Sequence, residues 1–127
     1  MRRALILIIS LSLLSFGSGY ALDHLRQRTA EHYLAHTEEV RQLALAARWQ
    51  EAQAQARLIY ARWQQDERWL KCLISHHHTR AVEAGFLRLD TALANRWADE
   101  ALPAADDLYL ALVEIRDDHM ARMENVL

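Results

Sequence analysis

The sequence predicts an all-α protein, with an N-terminal transmembrane or signal helix followed by a four-helix domain of two packed antiparallel helical hairpins. The 127 residues include only three glycines and one proline, too few turn formers for an all-β fold. Residues that favour helices dominate the composition, and apolar residues recur at steps of three and four. Hydrophobic residues make up 52% of the chain, enough for one packed domain beside a short N-terminal segment.

The N-terminal segment, residues 1–22, predicts a membrane anchor or a signal. Two arginines precede an uncharged run over residues 4–22, which as a helix is about 29 Å long, close to the ~30 Å core of a bilayer. Its densest part, residues 4–16, also has the length of a signal-peptide core, and Gly-Tyr-Ala at 19–21 is a possible cleavage site. Because arginines favour the cytoplasmic side, we expect a single-pass cell-membrane protein with a cytoplasmic N-terminus. Residues 23–127 then form an extracytoplasmic helical domain; after cleavage the protein would instead be secreted or periplasmic.

Four amphipathic segments follow, each predicted as a helix because its apolar residues share one face. They span residues 23–47, 49 to about 73, 76–93 and 99–126, with Pro103 near the start of the last, where a missing N–H is tolerated. The residues expected to face the core are Leu22, Leu25, Tyr33, Val40, Leu43 and Ala47, then Trp49, Ala52, Ala56, Ile59, Trp63 and Leu70, then Val82, Phe86 and Leu89, and finally Leu108, Leu112, Ile115 and Met123.

Two details of these helices stay open. Ser75 either caps the third helix or lies within one long helix. Gly85, costly inside a helix by about 1 kcal/mol, marks either a close helix approach or a loose turn.

A short repeat supports the two hairpins. "LAARW" (45–49) and "LANRW" (93–97) share four of five residues, 48 positions apart. With a one-residue slip, Ala52 and Ala56 then match Ala101 and Ala105. We therefore expect each motif at the turn between two helices, with its tryptophan opening the second helix.

The run His76-His77-His78 is more typical of a polar helix start than of a metal site. Successive helical residues point about 100° apart, so three adjacent imidazoles do not converge on one ion. We expect His76 to pack into the hairpin joint, with a pH response as the alternative, since imidazoles gain charge on mild acidification.

A better-spaced candidate for a metal or small ligand is His32, His36 and Glu39, whose side chains share one helix face. A partly buried His36 bonded to a neighbouring helix is the competing interpretation.

The tryptophans and the cysteine are assigned mainly to packing. Trp49, Trp63 and Trp97 are expected in the core, and Cys72, the only cysteine, is expected to be a small buried residue. Trp69 lies among charged residues, so it is either core or an exposed contact for a protein partner.

Charge and motifs argue against several function classes. Residues 97–127 carry eight acids and two arginines, an acidic stretch that is either a solvated helix surface or a face for a basic partner. The basic residues are dispersed, so we expect no nucleic-acid binding. The sequence contains no Gly-rich phosphate loop, no G-x-S-x-G and no H-E-x-x-H, so we expect no enzyme and no cofactor.

The order of these features resembles a known family. An N-terminal membrane segment precedes "RWQEAQAQA", "ARWQQDERW", "LISHHHTRAVE" and the ending "EIRDDHMARMENVL". This chain resembles the bacterial domain-of-unknown-function family 4363, whose members pair a membrane segment with a small helical domain. His76 occupies the place of the family's histidine, whereas His77, His78 and Arg80 replace its acidic positions. The resemblance implies a role beside a larger membrane protein.

Two hypotheses of different classes follow. In the first, the chain is a non-catalytic, membrane-tethered accessory or scaffold domain that contacts a membrane-protein partner through Trp69, His77, His78 and Arg80. In the second, it is a soluble exported module that binds a metal or small ligand through His32, His36 and Glu39.

Overall fold

The computed structural model describes residues 1–126, with side chains through residue 118, as four helices. In chain order these are α1 (Arg2–Leu45), α2 (Trp49–Leu70), α3 (His76–Ala94) and α4 (Ala98–Val126). α1 and α3 each pack against both α2 and α4. Since short turns join them, consecutive helices are antiparallel, and the chain forms a bundle of two hairpins, α1–α2 and α3–α4. The predicted fold class is confirmed.

α1 contains both the apolar N-terminal segment and the first helix of the bundle. Its 44 residues are unbroken, so the expected boundary between residues 22 and 23 falls inside a helix. Residues 1–22 are all exposed, and the first buried residue is Arg26. By length and composition α1 is able to cross a membrane, a test that a signal sequence also passes.

The core lies between the four helices and contains most of the residues predicted for it. Tyr33 on α1, Trp63 on α2 and Phe86 on α3 form a row of aromatic rings, with centroids 5.4 Å and 6.3 Å apart. Leu22 and Leu25 were wrongly predicted to face the core: they are 46% and 48% exposed. The buried face of α1 begins one residue later than Leu25, and Ala47 is also exposed because it lies in a turn. Met123 lies outside the described side chains.

The α1–α2 and α3–α4 turns have the same backbone geometry. Ala47 and Arg96 each take a left-handed conformation, with φ of 57° and 55°. The N–H of the next residue then bonds to the carbonyl five positions earlier, at 2.9 Å in the first turn and 3.0 Å in the second. This is the Schellman motif, which usually has glycine at the left-handed position. Here both positions carry side chains, at a cost of about 1–2 kcal/mol each.

These turns fix the register of the internal repeat. The two left-handed residues are 49 positions apart, so the register is the slipped one, in which Ala52 and Ala101 are both fully buried. The tryptophans of the repeat are 48 apart and therefore not equivalent: Trp49 is the first residue of α2, whereas Trp97 precedes α4. The expectation that Trp97 lies in the core was wrong, since it is 52% exposed. Trp49 is half-buried and packs against the core.

The α2–α3 turn separates two helices, which settles the open question at Ser75. Ser75 is extended (φ −71°, ψ 152°) at the N-cap position of α3, but its side chain makes no capping hydrogen bond. Leu70 and Ile74 are buried at the two sides of this turn. Cys72, between them, is exposed, contrary to prediction, because the chain has already left the helical path that would have turned it inward.

Gly85 and Pro103 are the two residues of the α3–α4 hairpin that helix propensity disfavours. A Cβ atom placed on Gly85 would lie 3.1 Å from Leu108 Cδ1 and 3.3 Å from Leu108 Cα. Gly85 therefore marks a close approach of α3 to α4. Pro103 is the sixth residue of α4, beyond the first turn in which a missing N–H is tolerated. At this position it has no N–H to donate to the carbonyl of Asp99.

Candidate partner-binding surface at the α2–α3 turn

One end of the bundle combines the α2–α3 turn with the point where α1 enters. Arg26 of α1 donates hydrogen bonds to the carbonyls of Ile115 and Arg116 on α4. His78 near the start of α3 faces Glu114 and Asp118 on the same stretch of α4. α1, α3 and α4 therefore meet at one level, next to the α2–α3 turn, and we call this part of the bundle the proximal end.

All four residues predicted to bind a partner lie at the proximal end, but they differ in exposure. His77 and Arg80 are exposed on α3, while Trp69, one residue before the end of α2, is half-buried. His78 is also half-buried, and its side chain is directed at α4 rather than at solvent. The exposed surface therefore consists of His77, Arg80 and part of Trp69.

The histidine that packs at the joint is His78, not His76 as expected. His76 is exposed, whereas the His78 side chain is 19% exposed, with Nε2 3.3 Å from Asp118 Oδ1 and Nδ1 3.6 Å from Glu114 Oε2. The two carboxylates approach opposite nitrogens of one ring, so they do not converge on a common point. The contact links α3 to α4.

Trp69 is held by a hydrogen-bond network that the sequence patterns did not indicate. Its Nε1–H donates to Asp66 Oδ1 at 3.3 Å, and the Tyr33 hydroxyl donates to Asp66 Oδ2 at 2.6 Å. Burial of the phenol, together with this bond to a carboxylate, raises the pKa of Tyr33. One carboxylate thus ties α1 to α2 and fixes the indole at the bundle surface.

Arg26 is a buried charged residue that was not predicted from the sequence. It is 3% exposed, and its guanidinium bonds Asp23 Oδ1 at 2.7 Å in addition to the two α4 carbonyls. The signal was present in the spacing, since Arg26 lies at a four-residue step before buried Ala30. A charged residue on a buried face is retained only when it is paired, and here the partners are the Asp23 carboxylate and two backbone carbonyls of α4.

The residues proposed for a metal or small ligand lie on the α1–α2 side. The His32 and His36 rings are 4.3 Å apart, and Nδ1 of His36 is 3.1 Å from Glu39 Oε2 and 3.1 Å from Gln55 Nε2. Partial burial, followed by the nearby His36 and Arg62, lowers the pKa of His32.

An open groove of about 610 Å³ borders both histidines and contains Arg62 and Asp66. Within the part of the chain whose side chains are described, no group of three or more His, Cys, Asp or Glu residues is placed to hold a metal ion.

Four of the eight acids in the acidic stretch lie against basic side chains of neighbouring helices. Asp106 pairs with Arg41 of α1 at 2.9 Å, and Asp107 pairs with Arg88 of α3 at 2.7 Å. Further along α4, two acids face His78. Much of the negative charge therefore joins α4 to its neighbours, which weakens the case for α4 as a face for a basic partner.

The comparisons with known proteins identify a family but no function. The family model described as Domain of unknown function (DUF4363) matches residues 20–126, which covers the whole bundle. Comparison with curated proteins and with solved structures gave no match.

Proposed function

The chain belongs to the DUF4363 family, and we propose that it is a non-catalytic accessory or scaffold domain, tethered by α1, for a protein in the same membrane. The observation that carries the proposal is the exposure of the whole apolar segment of α1. Residues such as Leu13, Leu14 and Phe16 are 68%, 76% and 80% exposed, far more continuous apolar surface than a soluble domain leaves uncovered. A bilayer is the environment that covers it.

The tether is tested by membrane fractionation of the full chain with an intact-mass measurement. Full mass in the membrane pellet supports the proposal. A mass lacking about the first twenty residues, in the soluble exported fraction, would instead indicate a cleaved signal.

The proposed orientation places the N-terminus in the cytoplasm and the bundle outside, because Arg2 and Arg3 precede the apolar run. Cys72 is the only cysteine and is exposed, so a membrane-impermeant maleimide reports the side on which the bundle lies. Labelling in intact cells supports the orientation. Labelling only after permeabilisation contradicts it, and a Cys72→Ser variant controls for other reactive proteins.

The partner-binding surface is proposed to be the exposed part of the proximal end, around Trp69, His77 and Arg80. A photo-crosslinking amino acid at His77 should capture a neighbouring membrane protein in intact cells. The matched control is the same amino acid at Gln50, which is exposed at the opposite end of α2. Equal capture at both positions would argue against a defined surface.

Substitutions separate a contact role from a structural one. His77→Ala and Arg80→Ala should reduce partner recovery and leave thermal stability unchanged, because both side chains are exposed and neither forms an ion pair with a side chain of residues 1–118. His78→Ala should lower stability as well, since it removes the contact with α4. Unchanged recovery in the His77 and Arg80 variants would remove these residues from the surface.

A second candidate function, an exported module that binds a metal or small ligand, is favoured by the groove beside His32 and His36. Calorimetric titration of the full chain with Zn²⁺ or Cu²⁺, compared with a His32→Gln/His36→Gln variant, tests the metal form. Saturable uptake at micromolar metal that the variant loses would support it. Equal heats for both proteins would remove it.

A further inference from the structure

We propose that the proximal end rests on the anionic, phosphate-bearing headgroups of the bilayer that α1 spans, through Arg68, Lys71 and Arg80. The inference rests on the proposed membrane span and adds a lipid partner for the surface at the α2–α3 turn. Lipid contact and protein contact overlap at Arg80: the three cations face the headgroups, while Trp69 and His77, with Arg80 at the border, face a neighbour in the membrane plane.

The position of the turn relative to the apolar segment supports lipid contact. Arg26 lies four residues after Leu22, the last residue of the uncharged run, which is about 6 Å along a helix. Arg26 and His78 contact the same stretch of α4, so the start of α3 lies at nearly that height. The headgroup layer of each leaflet is about 5–8 Å thick. The α2–α3 turn therefore lies close to the end of the apolar segment, and the long side chains of Arg68, Lys71 and Arg80 are within reach of lipid phosphates when α1 spans the bilayer.

The acids of the proximal end are already engaged within the protein. Five of them contact basic side chains: Asp23 with Arg26, Glu67 with Lys71, Asp117 with Arg116, and both Glu114 and Asp118 with His78. Asp66 instead accepts hydrogen bonds from Tyr33 and Trp69. Arg68 and Arg80 are exposed and make no ion pair with any residue that the structure describes. Lys71 is 49% exposed and only 3.6 Å from its partner, so it remains accessible to a second anion.

The opposite end of the bundle carries unpaired acids. Asp99 and Glu100 lie in the exposed first turn of α4, and neither makes an ion pair with the described part of the chain. Three accessible cations, Arg68, Lys71 and Arg80, thus lie beside the membrane segment, whereas the far end has these two unpaired acids and one unpaired arginine, Arg96. A negatively charged surface attracts the first and repels the second, which fits a bundle seated on anionic lipid and does not fit a neutral bilayer as the partner.

The test uses the full chain reconstituted in vesicles and labelled at its own Cys72 with a fluorophore. The vesicles are pure phosphatidylcholine or phosphatidylcholine with about one-third phosphatidylglycerol, and each contains a small fraction of lipid that carries a headgroup quencher. A second protein, Cys72→Ser/Gln50→Cys, carries the fluorophore about 33 Å away along α2 and serves as the distance control.

We expect quenching at Cys72 to be at least twofold greater in the anionic vesicles than in the neutral ones. About 0.5 M salt should abolish the difference, because screening shortens the electrostatic range to a few ångströms. Arg68→Gln/Arg80→Gln should reduce it by more than half. Arg96→Gln, which removes an unpaired arginine at the opposite end, should leave it unchanged, and the Gln50 label should respond to neither lipid.

Flotation of the same vesicles separates the possible failures. Protein that floats with the vesicles but shows equal quenching in neutral and anionic lipid would overturn the lipid contact and leave the tether intact. A lipid effect that resists salt and both arginine substitutions would also overturn it, since the contact would not be electrostatic. Protein that fails to float would overturn the tether and, with it, the lipid contact.

Discussion

Removing the Tyr33 hydroxyl tests the network that holds Trp69. Tyr33 is fully buried, and its O–H donates to the Asp66 carboxylate at 2.6 Å. A hydrogen bond to a charged group contributes about 1.5–3 kcal/mol. Asp66 is only half-buried and gains water once the phenol oxygen is gone. We therefore expect Tyr33→Phe to lower the free energy of unfolding by about 1–2 kcal/mol, a fall in Tm of about 3–6 °C.

The assay is thermal unfolding of the full chain in detergent, followed by circular dichroism, for a double-mutant cycle. Tyr33→Phe, Asp66→Asn and the double variant should give a coupling free energy of about 1 kcal/mol, because the two groups share one bond. Tyr109→Phe is the matched control, since Tyr109 is 36% exposed, and it should leave Tm unchanged. A Tyr33→Phe variant as stable as the wild type, or a fully additive cycle, would refute a net stabilising bond.

The same bond has a consequence at alkaline pH. In the unfolded chain the phenol ionises near pH 10, whereas burial and Asp66 raise the pKa of Tyr33 in the folded state. Above pH 10 the folded state therefore holds a proton that the unfolded state has lost, and stability decreases as the pH rises. Tyr33→Phe should show a smaller decrease.

Three other predictions concern single positions. Ala47→Gly and Arg96→Gly should each stabilise the fold by about 0.5–1 kcal/mol in thermal unfolding, because glycine relieves the left-handed strain; lower stability would contradict this. Gly85→Ala gains about 1 kcal/mol of helix propensity, but its Cβ meets Leu108 at 3.1 Å, and this overpacking costs about 1–3 kcal/mol. Denaturant unfolding should therefore show a net loss of stability of about 1 kcal/mol. A gain in stability would mean that Leu108 moves aside freely. The folded state lowers the pKa of His32, so the unfolded chain binds more protons, and stability falls as the pH drops through about 6.5. His32→Gln should lessen the fall in Tm between about pH 7.5 and 5.5. An undiminished fall in Tm would mean that other groups cause it.

Helix number, order and most core positions could be predicted from the sequence because they depend on spacing within one segment. Ala52, Ile59 and Trp63 recur at helical intervals and are all buried as predicted. The register of one segment relative to another could not be predicted in this way, because it depends on where each helix begins. Trp97 was misplaced because α4 begins one residue later, relative to its tryptophan, than α2 does, and a shift of one helical residue turns a side chain by about 100°.

The candidate surface was predicted as a region but not in its detail. The charged and aromatic residues around positions 69–80 lie together at one end of the bundle, and their contact with a partner stays a prediction. Which histidine faces inward depends on where α3 starts and on Asp118, 40 residues away in the chain and 3.3 Å away from His78 in space. The bonds of Tyr33 to Asp66 and of Arg26 to α4 carbonyls likewise join distant segments, and no local pattern in one sequence contains such pairings.

Because α1 is one unbroken helix, no flexible joint separates the bundle from the apolar segment. Arg26 fastens α1 to α4 within about 6 Å of that segment, so a tilt of the segment is transmitted to the whole bundle. From Asp23 to Leu45 α1 extends about 34 Å. Spanning helices tilt by about 20° on average, and by more in thin bilayers, so such a tilt carries the far turns sideways by roughly 12 Å. With α1 spanning the bilayer as proposed, the sideways position of the far turns depends on membrane thickness, and a flexible pair of glycines inserted after Leu22 should abolish that dependence.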